Sequence, residues 1–274
     1  MATSDPFEAL HLPLVPRRPR PQFAAALKRR LTEELSMTTA ETTVRMPAMF
    51  HIRVPDPDQA MAFFGAVFDW EGERVEFEGH IRHYMTNTTA TQPVITDEPG
   101  AWDVRVGFTT DDLNDAMATI ERNGGRIGER GDTWVMADDG QGVALVVWTP
   151  RDAYPHAPPT KVATGELTWF EILVPSAERA KTFYGDLLGW KYGQFEGGPY
   201  HHVLDATGGS AAGITEAPDA LGVMIYATVP DIDAARARVV AAGGTVDASS
   251  PMGPGVGCHC TDDQGTRFGL WSAN

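Results

Sequence analysis

Phe63-Phe64-Gly65-Ala66-Val67-Phe68-Asp69-Trp70 decides the fold, because a similar stretch, Phe183-Tyr184-Gly185-Asp186-Leu187-Leu188-Gly189-Trp190, follows 120 residues later. Val-Pro pairs at 54–55 and 174–175 precede both copies at the same spacing. Residues 142–148 recur as 265–271, and the glycine pair at 124–125 recurs at 243–244. The sequence therefore predicts two copies of one domain.

The sequence predicts that the whole chain divides into four segments. Residues 1–44 combine a proline-rich stretch with a short amphipathic helix, in which Phe23, Leu27, Leu31 and Leu35 recur every four residues. The first domain is expected over 45–150, a proline-rich linker over 151–160 and the second domain over 161–274. The N-terminal arm is expected to dock on the chain itself or on a neighbouring subunit, as in a homodimer, and the alternative is a partner-binding or membrane-surface helix.

Each copy of the domain also divides into halves. In every half an apolar strand precedes an amphipathic helix, and several short strands follow it; the helices of the second copy are expected over 177–188 and 231–242. This order predicts an α+β fold of four βαβββ units, whose curved mixed sheets carry helices on the outside. A curved sheet covered by helices on one face leaves the other face free to enclose a pocket.

Composition excludes several classes of protein. The 274 residues carry 22 Lys and Arg against 37 Asp and Glu, a net charge of −15 that disfavours nucleic-acid binding. No apolar run is long enough to span a bilayer, so no membrane association is expected. Only Cys258 and Cys260 are present, which favours a reducing, cytoplasmic location over a disulfide scaffold.

The repeats resemble the vicinal oxygen chelate superfamily, which includes glyoxalase I, bleomycin-resistance proteins and extradiol dioxygenases. The resemblance rests on residues 180–190, on Ala241-Ala242-Gly243-Gly244 and on residues 262–271. It covers roughly residues 45 to 274 and is nearest to tandem-domain actinobacterial proteins described as glyoxalase-like or hydroxylase-like. The resemblance implies this fold and leaves open whether one or both cups are active.

The resemblance also implies where a divalent metal ion would bind, on the first strand of each half and on the last strand. The matching positions hold no usual metal ligand: they are Met49, Arg105 and Val146 in the first domain, and Trp169, Met224 and Gly269 in the second. A fourth position falls near Val94-Ile95 and Ala212-Gly213. We therefore expect no metal and no other cofactor, with a divalent metal at a non-standard site as the alternative.

Strand alternation predicts which side chains line the cups. His51 and Glu171 are the candidate catalytic acid or base, because imidazole titrates near neutrality and a carboxylate beside indole rings has a raised pKa. Both also have a structural interpretation, His51 as a hydrogen-bonded core residue and Glu171 as an interface carboxylate. The candidate substrate-binding residues are Met49, Arg53, Arg105, Trp148, Trp169, His202, Met224, Tyr226 and Trp271.

Two further clusters look like metal sites but are expected not to be. His80 and His83 are three apart on a likely strand, which places their rings on opposite faces. In Cys258-His259-Cys260 both thiols point one way and the imidazole points the other. No second Cys/His pair follows nearby to complete a zinc site.

Three functions follow from these patterns. The first is metal-independent binding, and in one version conversion, of a small hydrophobic or aromatic metabolite, with a role in secondary metabolism or antibiotic resistance. The second is a metal-dependent glyoxalase-type lyase or dioxygenase that uses unusual ligands such as His51, His83, His202 and Glu171. The third is a non-catalytic partner-binding protein with vestigial pockets.

Overall fold

The computed structural model describes residues 45–77, 79–88, 91–98, 104–150, 164–193 and 200–273. The predicted N-terminal arm and the predicted linker lie outside these residues. Within them the chain forms four helices and seventeen strands in two mixed sheets, which is the α+β fold that the sequence predicts.

The first sheet follows the strand order β2-β3-β4-β1-β5-β8-β7-β6. Its strands are β1 (Met49–Arg53), β2 (Gly72–Phe77), β3 (His80–Met85), β4 (Gln92–Thr96), β5 (Val104–Thr109), β6 (Arg126–Arg130), β7 (Trp134–Asp138) and β8 (Ala144–Trp148). Helices α1 (Pro57–Phe68) and α2 (Leu113–Arg122) follow β1 and β5. The antiparallel pair β1–β5 joins the two βαβββ units at the centre of the sheet.

The second sheet repeats this order as β10-β11-β12-β9-β13-β17-β16-β14, with β15 paired to β16. Its strands are β9 (Glu166–Val174), β10 (Lys191–Tyr192), β11 (Tyr200–Leu204), β12 (Ser210–Glu216), β13 (Gly222–Thr228), β14 (Thr245–Val246), β15 (Ser250–Met252), β16 (Gly255–Thr261) and β17 (Arg267–Ala273). Helices α3 (Ala177–Leu188) and α4 (Ile232–Ala241) take the places of α1 and α2. The equal topology of the two sheets confirms the internal duplication.

The duplicated motif forms the helix that follows the first strand of each domain. Asp56 begins α1 and Ser176 begins α3, each by accepting a hydrogen bond from a backbone N–H of the first turn. Asp69 and Gly189 end these helices in the left-handed conformation, with φ of 62° and 71°. The copies therefore share their helix boundaries, although the second copy alone uses glycine at the end.

One hydrophobic core joins the two domains. The rings of Phe50 on β1 and Phe170 on β9 are 5.4 Å apart, and Phe268 on β17 contacts Phe64 and Phe68 of α1. Helix α1 also contacts α4, and α2 contacts α3. The helix-bearing faces of the two sheets thus pack together, and the opposite faces, which we call the first cup and the second cup, point away from this core.

The side chains of the His80/His83 pair and of residues 258–260 point in the predicted directions. His83 points to the helix side, where its Nε2 is 2.6 Å from Asp58 of α1, while His80 lies beside Asp97. The Cys258 and Cys260 sulfurs are 3.8 Å apart in the core, and His259 lies on the other face of β16. None of the helices in the described part of the chain is long and apolar enough to cross a membrane.

Candidate functional site

The first cup brings together the residues predicted for it in the first domain. Met49, His51 and Arg53 alternate with core residues along β1, and Arg105 of β5 is directly opposite His51. The Trp148 indole covers Gly107, the next residue of β5 on the same face, where an added Cβ would be 2.8 Å from the ring. The cup therefore has a polar end at Arg105 and an aromatic end at Trp148.

Glu98, which follows β4, is the residue of the first cup that the sequence reasoning missed. Its two carboxylate oxygens contact the guanidinium groups of Arg82, at 2.5 Å, and Arg105, at 2.7 Å. Burial alone would raise the pKa of Glu98, but its interactions with His51, Arg105 and Arg82 outweigh burial and hold that pKa far below its ordinary value. Glu98 is therefore a buried carboxylate that stays charged.

His51 lies beside this ion pair without joining it by a hydrogen bond. Its Nδ1 is 3.9 Å from Glu98 Oε2, which is too long for a hydrogen bond, and its Nε2 is 2.9 Å from the Met49 sulfur. Burial lowers the pKa of His51, and the negative charge of Glu98 only partly offsets that effect. The imidazole is therefore neutral at neutral pH, which suits a base better than an acid.

The second cup brings together Trp169, Glu171, Met224, Tyr226 and His202. Met224 and Tyr226 of β13 are directly opposite Glu171 and Trp169 of β9. His202 of β11 pairs with Gly213, which in turn pairs with Glu171. These predicted residues share one sheet face in the second domain, so His51 and Glu171 belong to different cups.

Glu171 is a largely buried carboxyl group among aromatic rings. Burial raises its pKa, while hydrogen bonds from Trp169, Thr215 and Tyr226 act in the opposite direction. The contact with Thr215 Oγ1 is long, at 3.5 Å. In contrast to Glu98, Glu171 has no guanidinium beside it in the described part of the chain, so it is the carboxyl group better suited to hold a proton.

Two tyrosine rings line the second cup, and each lies over a glycine of a neighbouring strand. The Tyr200 ring covers Gly213, and the Tyr226 ring covers Gly269, where an added Cβ would meet each ring at under 3 Å. The Tyr226 hydroxyl is also 3.1 Å from Nε2 of His259, an exposed residue. The sequence analysis did not identify Tyr200, although a glycine inside a strand, here Gly213, is a signal that a side chain approaches the backbone closely.

Trp271 lies towards the edge of the second cup. Its Nε1 donates a hydrogen bond of 3.0 Å to the Met252 carbonyl, and its ring covers Gly255. Trp169 borders the cup and also a mainly apolar cleft of about 280 Å³ between the domains, where Phe50 and Phe170 meet. Of these two indoles, Trp169 is therefore the better placed to report a ligand.

Comparisons with known proteins agree with this architecture. The model of a glyoxalase-like domain matches residues 169–271. CFP32 of Mycobacterium bovis, a proposed glyoxylase, is 28% identical over 250 residues, which cover 82% of this chain and 93% of CFP32. These matches are consistent with the resemblance to the vicinal oxygen chelate superfamily.

Two solved structures show that the similarity in fold extends over both domains. The 2,3-dioxygenase LapB from Pseudomonas sp. KL28 superimposes with a TM-score of 0.57 at 15% identity, covering 86% of this chain and 94% of LapB. The Mn(II)-bound glyoxalase from Novosphingobium aromaticivorans superimposes with a TM-score of 0.55 at 15% identity, covering 84% and 82% of the two chains. These similarities establish the tandem fold.

The residues of this chain do not fit a metal ion at the expected positions. Met49, Arg105 and Val146 offer a thioether, a guanidinium and an aliphatic group, and Trp169, Met224 and Gly269 offer no oxygen or imidazole donor either. Gln92, which pairs with Met49, donates its side-chain amide to the Met85 carbonyl. Among the described residues no three His, Cys, Asp or Glu side chains converge on a common metal position.

The unusual ligand set considered from the sequence is wrong. His83 lies on the helix side of the first sheet, His51 lies in the first cup, and His202 and Glu171 lie in the second. These four side chains cannot share one ion, because strand alternation and the common core separate them.

Proposed function

We propose that this chain binds a small aromatic or hydrophobic metabolite in the second cup without a resident metal ion. The observation that carries the proposal is the composition of that cup in the described part of the chain: aromatic and methionine side chains surround a partly buried carboxyl group, Glu171. Such side chains bind flat, partly apolar molecules through burial and ring contacts. The superfamily fold supports the general class, small-molecule binding or conversion, and the metabolite is our inference.

Glu171 gives the second cup a polar contact of defined chemistry. A carboxyl group with a raised pKa donates a hydrogen bond when protonated, and therefore favours a ligand with a carbonyl or hydroxyl oxygen. The aromatic walls would orient such a ligand, and Glu171 could then transfer a proton to it or from it. Binding alone would sequester the metabolite, as in resistance, whereas proton transfer would convert it, as in secondary metabolism.

Tryptophan fluorescence titration tests the proposal. A panel of neutral aromatic metabolites and 2-oxoaldehydes is added to the full chain, with and without a chelator, and metal content is measured on protein purified without chelator. We expect at least one aromatic compound to quench emission, an unchanged affinity in chelator and less than stoichiometric metal. A stoichiometric ion, or binding that disappears in chelator, would support the metal-dependent lyase or dioxygenase instead.

Matched variants locate the binding in the second cup. Trp169→Phe should remove most of the quenching, and Glu171→Leu, which keeps the size of the side chain but has no donor, should weaken binding of the active compound by about tenfold, the effect of one hydrogen bond to a ligand. Glu178→Gln, on the exposed surface of α3, should leave both unchanged. If no compound of the panel quenched the fluorescence of the wild type, this would contradict the proposal and favour a non-catalytic partner-binding protein.

A further inference from the structure

The first cup contains more buried hydrogen-bond donors than the described residues satisfy. Arg105 is 7% exposed and makes one hydrogen bond within the described part of the chain, to Glu98, although a guanidinium has five N–H donors. Arg82 Nε is also buried and has no hydrogen-bond partner among the described residues. Buried polar groups are normally paired, so donors left over at one place indicate a missing acceptor.

The charges at this place also favour an anion. Among the described residues Glu98 is the acidic group that faces Arg82 and Arg105, so two guanidinium charges meet one carboxylate charge there. A planar, bidentate acceptor suits the fork of an arginine, and a carboxylate has that geometry.

The aromatic end of the same cup constrains the rest of the ligand. Gly107, under the Trp148 indole, is two residues from Arg105 on β5, a separation of about 7 Å along a strand. A carboxylate attached directly to a six-membered ring spans this separation, with the ring against Trp148 and Met49. A longer acid would extend beyond the indole, and an aliphatic acid would lose the ring contact.

We propose that the first cup is a binding site for an aromatic carboxylate. Its carboxylate accepts hydrogen bonds from Arg105 and Arg82, and its ring lies against Trp148. Glu98 acts as an internal counter-ion that neutralises part of the charge of the two guanidinium groups and competes with the ligand for them. The site is separate from the second cup, so it stands whether or not the metabolite site proposed above is correct.

Calorimetric titration of the full chain with benzoate, and with benzamide as the neutral match, tests this site. Benzamide keeps the ring and the shape but lacks the charge. We expect benzoate to bind at least about tenfold more tightly than benzamide, because hydrogen bonds to charged partners contribute more than neutral ones. Equal affinities, or no benzoate binding at millimolar concentration, would overturn the proposal on the wild type alone.

Variants then assign the binding to these side chains. Arg105→Gln should reduce the preference for benzoate to less than about twofold, while Arg126→Gln, an exposed arginine of the same domain, should keep it. Glu98→Gln should bind benzoate more tightly, since both guanidinium groups then lack their internal carboxylate. Weaker benzoate binding by a folded Glu98→Gln variant would contradict the counter-ion role.

Discussion

Glu98 is a buried carboxyl group and Glu171 a partly buried one in the corresponding cup, and their surroundings move their pKa values in opposite directions. Interactions with His51, Arg105 and Arg82 hold the pKa of Glu98 down, whereas burial among aromatic rings raises the pKa of Glu171. Burial penalises both charges, so the difference comes from these neighbours of Glu98. The duplicated sheet thus presents a charged site in one half and a protonatable site in the other.

Replacing Glu98 tests the strength of its ion pairs. We expect Glu98→Gln to lower the free energy of unfolding at pH 7 by about 3 kcal/mol, because Arg82 and Arg105 lose the partner of their buried charges. Since the folded state lowers the pKa of Glu98, this stabilisation is present above the ordinary value of 4.5 and declines as the pH falls below it. Urea unfolding at pH 7 and pH 3 measures the effect.

The control for Glu98 is Glu73→Gln, on an exposed position of β2. It should change the free energy of unfolding by less than about 0.5 kcal/mol, as surface substitutions usually do. An equal loss in both variants at pH 7 would show that the ion pairs of Glu98 add no stability.

Glu171 should show the opposite pH dependence. A carboxyl group whose pKa is raised by folding keeps its proton longer in the folded state, so stability decreases as the pH rises above about 4.5. We therefore expect Glu171→Gln to match the wild type in melting temperature at about pH 4 and to exceed it at pH 7. Thermal unfolding of both proteins at the two pH values measures this difference in melting temperature. The prediction is contradicted if the melting temperature of the variant, relative to that of the wild type, is lower at pH 7 than at pH 4.

At the residue scale, alternation along a strand was enough to place most of the predicted site. His51 and Glu171 belong to strands whose core-facing neighbours are apolar, so their direction follows from the pattern. Glu98 lies outside any repeated motif and just beyond the end of β4, where alternation gives no direction. Its importance depends on Arg82, which approaches from β3 through tertiary pairing that no local pattern encodes.

At the element scale, the helix that carries the duplicated motif connects both domains. Phe64 and Phe68 of α1 pack on Phe268 of β17, a residue of the other domain that is 2% exposed. The motif predicted the helix, because capping residues and apolar spacing are local. It did not predict the contact across domains, because the partner is 200 residues away in sequence.

The contact with Phe268 should contribute strongly to stability. We expect Phe268→Ala to lower the free energy of unfolding by about 4 kcal/mol, since it removes a buried aromatic ring and leaves a cavity. Val240→Ala, on an exposed position of α4, should have an effect below about 0.5 kcal/mol. Chemical unfolding compares the two, and a loss below 1 kcal/mol for Phe268→Ala would show that the domains pack loosely there.

At the scale of the whole molecule, the continuous core predicts one unfolding event. The buried residues of both domains form one hydrophobic cluster, so neither domain covers its helix face alone. We expect residues 43–274 to unfold in a single calorimetric transition, and Phe268→Ala to lower its midpoint without splitting it. Two separated transitions in the wild type would contradict this shared core.

The overall topology was predictable from the sequence because duplication supplies internal evidence: two segments with the same motifs at nearly constant offsets must fold alike. The arrangement of the copies was less accessible. Nothing in Phe50 or Phe170 alone indicates that they meet, since each is simply an apolar residue of a buried strand. Packing between repeats depends on surface shape, which periodicity does not describe.

The back-to-back packing of the two halves has an evolutionary consequence. Because the two domains pack together through their helix-bearing faces, each cup can accumulate substitutions without disturbing the other cup. The first cup is lined by arginines and the second by tyrosines, so the two copies of the domain have diverged in the residues that line their cups. A single polypeptide can in this way evolve recognition of two unrelated compounds while selection on its folding stays the same.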